Sequence, residues 1–109
     1  MAYDEGLAQR VREVLADEAG LTEKRMFGGI AFMLDGNMAC GVSGDELMLR
    51  VGTDGFDALL SEPGVRIFDM SGRPMKGWLL VSAGATAEDD DLAGWVRRGV
   101  TFARSLPPK

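Results

Sequence analysis

Residues 30–51 read Ile-Ala-Phe-Met-Leu, Asp-Gly-Asn, Met-Ala-Cys-Gly-Val, Ser-Gly-Asp-Glu, Leu-Met-Leu-Arg-Val. Three short apolar runs are cut by two clusters of turn formers, the pattern of successive hairpins. The spacing predicts antiparallel strands over 30–34, 38–42 and 47–51. Side chains alternate across a strand, so register sorts them onto two faces. If the loop at 35–37 holds three residues, Leu34 pairs with Met38; if the loop at 43–46 holds four, Val42 pairs with Leu47. One face then carries Ile30, Phe32, Leu34, Met38, Cys40, Val42, Leu47, Leu49 and Val51. It is wholly apolar and is expected beneath helices. The other face carries Ala31, Met33, Ala39, Gly41, Met48 and Arg50, where a solvated face would be polar. A two-residue turn at Asp35-Gly36 would slip the first hairpin by one residue and exchange the faces of its first strand.

Working outward, Leu7, Val11, Val14, Leu15 and Ala19 recur at helical spacing, which predicts a first helix from Asp4 to Ala19 stopped by Gly20. Gly52-Thr53-Asp54 leads into a short helix over 55–61, closed by Pro63-Gly64. Residues 65–70 and 75–82 read as two more strands about a turn at 71–74. A last helix begins after Ala87, with Thr86 and Asp89 spaced as a capping box. Its stripe is Leu92, Trp95, Val96, Gly99, Ala103 and Leu106, and Pro107-Pro108 ends it. The 75–82 strand is apolar on both sides, with Met75, Leu79 and Val81 alternating with Trp78 and Leu80. A strand greasy on both faces is covered on both faces. The expected second cover is another copy of the chain, meeting this one through Met33, Met48, Arg50, Trp78 and Leu80. The competing arrangement wraps the last helix over the same face. Arg50, a charge among methionines, needs an acidic partner, one candidate being a residue of the second subunit.

The chain has 109 residues, 46% hydrophobic and 27% charged, which fits one globular domain over 1–109 and excludes disorder and coiled coil. No apolar run is long enough to span a membrane. The acidic start Met-Ala-Tyr-Asp-Glu is unlike a secretory leader, and a single cysteine fits a reducing compartment, so a cytoplasmic location is expected. Net charge is −5, with five Lys/Arg against ten Asp/Glu in 1–54 and seven of each in 55–109. An acidic chain is a poor match for duplex phosphate, although the second half could present a local basic face. There is no histidine. The commonest general base, the usual transition-metal ligand and every Ser-His or Cys-His pair are thereby excluded. Cys40, inside an apolar run, reads as a small buried hydrophobe. No catalytic residue, cofactor or metal site is expected.

Three motifs carry alternatives. Lys24-Arg25-Met26-Phe27-Gly28-Gly29 could cradle an anion on backbone amides, but the better reading is a glycine bulge beneath the first helix. Glu88-Asp89-Asp90-Asp91 reads as a helix start favoured by the dipole rather than a cation site. Arg97, Arg98 and Arg104, with Lys24 and Arg25, are the candidate nucleic-acid contacts. Gly72-Arg73-Pro74-Met75-Lys76-Gly77-Trp78 reads equally as a recognition rim or a tight hairpin.

Taken together, Arg25-Met26-Phe27-Gly28-Gly29, Asp35-Gly36, Leu49-Arg50-Val51, Gly72-Arg73-Pro74-Met75-Lys76-Gly77-Trp78, Leu92 and Trp95 resemble the TfoX N-terminal domain family. The resemblance covers nearly the whole chain. It implies an α+β fold like that of type III secretion chaperones, α-β(3)-α-β(2)-α with a five-stranded antiparallel sheet. Members named for TfoX regulate natural competence and carry a C-terminal domain, so this chain, ending at Lys109, resembles a stand-alone version. The expectation is therefore a non-catalytic regulatory or protein-interaction module, homodimeric and able to bind another protein. The alternatives are nucleic-acid binding and small-ligand binding.

Overall fold

The computed structural model describes residues 3–26, 28–70 and 72–108, with the side chains of Met26 and Met70 outside that description. In chain order the elements are α1 (Glu5–Val14), β1 (Leu21–Met26), β2 (Gly29–Leu34), β3 (Asn37–Ser43), β4 (Glu46–Arg50), α2 (Phe56–Leu60), β5 (Val65–Met70), β6 (Arg73–Val81), a 3-10 turn (Ala83–Thr86) and α3 (Asp89–Arg104). The fold is α+β, with six antiparallel strands in the order β1-β2-β3-β4-β6-β5.

The sheet thus has one strand more than the five expected. The added strand is β1, whose residues Thr22, Glu23, Lys24 and Arg25 are all exposed. It pairs only with β2, and an edge strand that carries charge gives no alternating apolar signal. Pairing of Met26 with Gly29 makes the glycine pair part of a hairpin rather than a bulge. Gly28 adopts φ +73°, and a Cβ on Gly29 would lie 1.9 Å from the Val42 carbonyl oxygen. Phe27, in the same motif, lies outside the described residues.

The Asp35-Gly36 turn does hold two residues, both at positive φ, 51° and 85°. Leu34 accordingly pairs with Asn37 and Met33 with Met38, one step from the expected register. Alone, that slip would exchange the strand faces. It does not, because the register shifts again between Met33 and Phe32, and Phe32 pairs with Cys40. Ala39 is the extra residue, a β-bulge. Its side chain packs with Leu34 and Ala103, on the helix side. Met38 is consequently corrected to the outer face and Ala39 to the inner one. The other inner residues predicted from the sequence stay under the helices.

Helices α1, α2 and α3 lie on the same side of the sheet. Leu7, Val11, Phe56, Leu92, Trp95 and Val96 join Phe32, Val42, Leu47, Leu49, Leu79 and Val81 in one core. The α3 stripe supplies Leu92, Trp95, Val96, Gly99 and Ala103 as its buried face. First-helix residues end at Val14 rather than Ala19, since Asp17 and Glu18 oppose the dipole at that end. The chain then turns at Gly20, φ +75°. Asp4 caps α1, its Oδ1 accepting the Leu7 N–H at 3.1 Å.

The capping box expected at Thr86 and Asp89 is absent: the α3 N-cap is Glu88, with no side-chain cap. Thr86 Oγ1 instead donates back to the carbonyls of Ser82 and Ala83. Arg10 serves this end of the helix from outside. Its guanidinium donates to the Thr86 carbonyl at 2.8 Å and pairs with Asp89 at 3.0 Å, tying α1 to the start of α3.

Two glycines of α3 should respond oppositely to alanine. A Cβ at Gly99 would sit 2.2 Å from the Ala39 carbonyl oxygen and 2.9 Å from Leu49 Cδ1. At Gly94 the nearest atom is Arg98 Nη1, 3.9 Å away. Gly99→Ala is expected to cost roughly 1–3 kcal/mol by overpacking. Gly94→Ala should stabilise by up to about 1 kcal/mol through helix propensity. Urea denaturation midpoints of the two variants check both signs.

Candidate interaction face

The outer side of the sheet bears a second apolar cluster of Ala31, Met38, Met48, Phe68 and Leu80, with Met33, Met75 and Trp78 packed against it. Every member belongs to a strand. The last helix therefore does not wrap over this face; it packs on β3 and β4 from the other side. Met75 reaches the face because the β5–β6 register shifts, pairing Ile67 with Leu79 but Phe68 with Met75. Gly77, at φ +93°, sits in that irregularity, and its carbonyl accepts from Val51 N–H at 2.8 Å and Gly52 N–H at 3.2 Å.

The face is greasy but largely closes over itself. Met48 is 0% exposed and Leu80 8%. A Cβ on Gly41 would meet Met48 Cε at 2.8 Å and Met38 Cε at 3.2 Å, so both methionine methyls lie down over the glycine. Of the five residues singled out from the sequence for contact, Met48 and Leu80 are thus floor. Met33, Arg50 and Trp78 stay partly exposed, joined at the rim by Met75. Methionine, unbranched and polarizable, suits such an adaptable surface.

Charge lies at the two ends of this trough. At one end Arg50, paired in register with Trp78, places its guanidinium 5.3 Å from the Trp78 ring centroid and 5.2 Å from that of Phe102. Phe102 reaches it from α3 because residue 52 is glycine. A Cβ there would lie 2.4 Å from Phe102 Cε1. Cations over aromatic faces are attracted by the ring quadrupole, by about 0.5–2 kcal/mol each. Among the described residues the Arg50 side chain makes no hydrogen bond or ion pair. No acidic partner of the kind predicted meets it among the described residues of its own chain. At the other end Arg66 donates both Nη groups to Glu46, with Nη2 to Oε1 at 2.7 Å. That hydrogen-bonded carboxylate holds the Arg66 proton above the ordinary guanidinium range.

Glu46 and Phe102 were not singled out from the sequence. Period-two alternation along β4 could have found Glu46, since positions 46, 48 and 50 share a face. Nothing local marks Phe102, whose role depends on the packing of α3 over Gly52.

The candidate nucleic-acid cations are not brought together. Lys24 and Arg25 line a cleft beside α1 with Glu5 and Glu23. Arg97 and Arg98 line a shallow cleft of about 320 Å³ beside α2, with Asp54. Arg98 also lies 4.8 Å from the Trp95 ring centroid. Arg104 is held internally, pairing with Asp35 at 3.0 Å and Glu18 at 3.1 Å and donating to the Ala19 carbonyl at 2.7 Å. It fastens the end of α3 to the β2–β3 turn. Among the described residues no three His, Cys, Asp or Glu side chains gather as a metal site. No helix among the described residues is long and apolar enough to cross a membrane.

Sheet, helix layer and outer trough together define a small α+β domain with one helix-covered and one bare sheet face. The chain belongs to the TfoX N-terminal domain family, whose model matches residues 13–103. Comparison with curated proteins and with solved structures returns no match.

Cys40 is fully buried on the inner face, and desolvation pushes its thiol pKa up to about 12. The folded protein should resist alkylation at pH 8 and react only when denatured. Because the folded pKa exceeds the unfolded value, the thiol's contribution to stability is intact below about pH 9. Above that it declines by up to about 1.4 kcal/mol per pH unit toward pH 12. Comparing alkaline unfolding with that of Cys40→Ala isolates this term; identical slopes would contradict it.

Proposed function

We propose that this domain is a non-catalytic regulatory and protein-interaction module that works as a homodimer through the outer face of its sheet. The observation that carries the reading is an apolar cluster whose described members all belong to strands, with Met33, Met75 and Trp78 partly exposed at its rim and none of the described helices over it. Strand faces of this composition are normally covered. The regulatory role is inferred from family membership. The absence of histidine and the buried, protonated Cys40 favour binding over chemistry. Nucleic-acid binding is the weaker reading, since its cations divide between two acid-lined clefts and one internal staple.

Sedimentation or light scattering across a dilution series tests the proposal. A dimer is expected at roughly tens of micromolar, and Met33→Glu, placed at the rim, should weaken it at least about tenfold while leaving the circular dichroism unchanged. A wild-type monomer at those concentrations removes the reading.

A further inference from the structure

The outer residues of β4 are Glu46, Met48 and Arg50, an acid, an apolar centre and a base at two-residue intervals. Read backwards, the same line is base, apolar, acid. Such a pattern is self-complementary when one copy is laid antiparallel on another. We infer that the second copy docks on the outer face about a two-fold axis that lies between the sheets and perpendicular to β4 at Met48. Glu46 then faces Arg50 of the partner subunit, twice per dimer. This rests on the homodimer reading and specifies its register.

The two charges are unequally occupied within the chain, and this difference points to the partner. Arg50 is held between Trp78 and Phe102 with its N–H donors unused by any described acceptor. Arg25, Arg73, Arg97 and Arg98 also lack ion pairs among the described residues, but all four are exposed, whereas Arg50 is partly buried. A partly desolvated guanidinium gains most from a carboxylate. Glu46 already binds Arg66, yet its side chain stays 20% exposed, and a carboxylate has lone pairs for a second guanidinium.

Reach is adequate. Positions 46 and 50 are about 13 Å apart along the strand, and packed sheets lie about 10 Å apart, a gap that long side chains fill. Aligned sheets cross at about 30°, which displaces each strand end sideways by only about 3 Å. The alternative two-fold, parallel to β4, would bring Glu46 onto Glu46 and Arg50 onto Arg50. Like charges would then meet at both ends.

Charge exchange tests the register. In Arg50→Glu and in Glu46→Arg each cross-pair becomes repulsive and is counted twice, so each homodimer should weaken at least about 100-fold. Mixed together, the two variants restore opposite charges at both contacts. A heterodimer within about tenfold of the wild-type Kd should form, read by native mass spectrometry with one partner isotope-labelled. Thermal melts establish that each variant is folded. Should either fail to fold, Glu46→Gln and Arg50→Gln replace them in a double-mutant cycle, where the double variant should lose less than the sum of the singles.

A wild-type dimer that ignores both exchanges, or variants that fail to recombine, would overturn this register and leave the homodimer standing. A dimer tightened by Arg50→Gln would assign the parallel axis instead and overturn it too. A monomeric wild type would remove both the register and the reading beneath it.

Discussion

One extra residue in β3 settles how this molecule is assembled. The Asp35-Gly36 turn is tight, and a tight turn demands pairing one step away from the register that would put every large side chain under the helices. The bulge at Ala39 absorbs that step. Beyond it, Phe32, Cys40 and Val42 regain the helix side; before it, Met33 and Met38 are turned outward. The same bulge places the Ala39 carbonyl where only a glycine of α3 can pass, so the strand irregularity and Gly99 are fitted to one another. Docking of the last helix, and hence the inner core, depends on that fit.

The outer face follows from the same constraint. Turning Met38 outward sets it beside Met48, and their methyls fold over Gly41, where a side chain would leave no room. A surface that would otherwise be oily is thereby mostly hidden by its own flexible side chains. What stays partly exposed is a rim of methionine and tryptophan with Arg50 at one end and the Glu46–Arg66 pair toward the other. The helix layer contributes to this rim through Phe102, which passes over Gly52 to flank Arg50. The two sides of the sheet are therefore linked at Arg50.

Ion pairs have a different task here: they close the chain on itself. Arg10 joins α1 to the start of α3, Arg12 joins α1 to Glu23 of β1 at 2.9 Å, and Arg104 joins the end of α3 to the β2–β3 turn. Such pairs near the surface each add little stability, commonly under about 1 kcal/mol. They fix which ends meet. That explains why Arg104, one of a basic cluster in the sequence, is not free for a ligand, while Arg50, solitary in the sequence, is.

Local pattern along the chain specified the helices, five of the six strands, the apolar inner face and the oddity of the outer one. Periodicity and turn formers are local signals, and these elements obey them. It also marked Arg50 and Trp78, because a charge or an indole on an apolar strand stands out against its neighbours, and Met33, because it lies on the face where polar residues belong. The remainder came from how distant segments pack together. β1 is an edge strand that owes its existence to pairing with β2, so its own residues stay polar. Met38 changed sides through a bulge that no residue type announces. Met48 and Leu80 became floor, and Phe102 became a neighbour of Arg50, through contacts between segments far apart in the chain. Register, burial and long-range proximity belong to pairs of segments, and a pattern read along one segment cannot contain them.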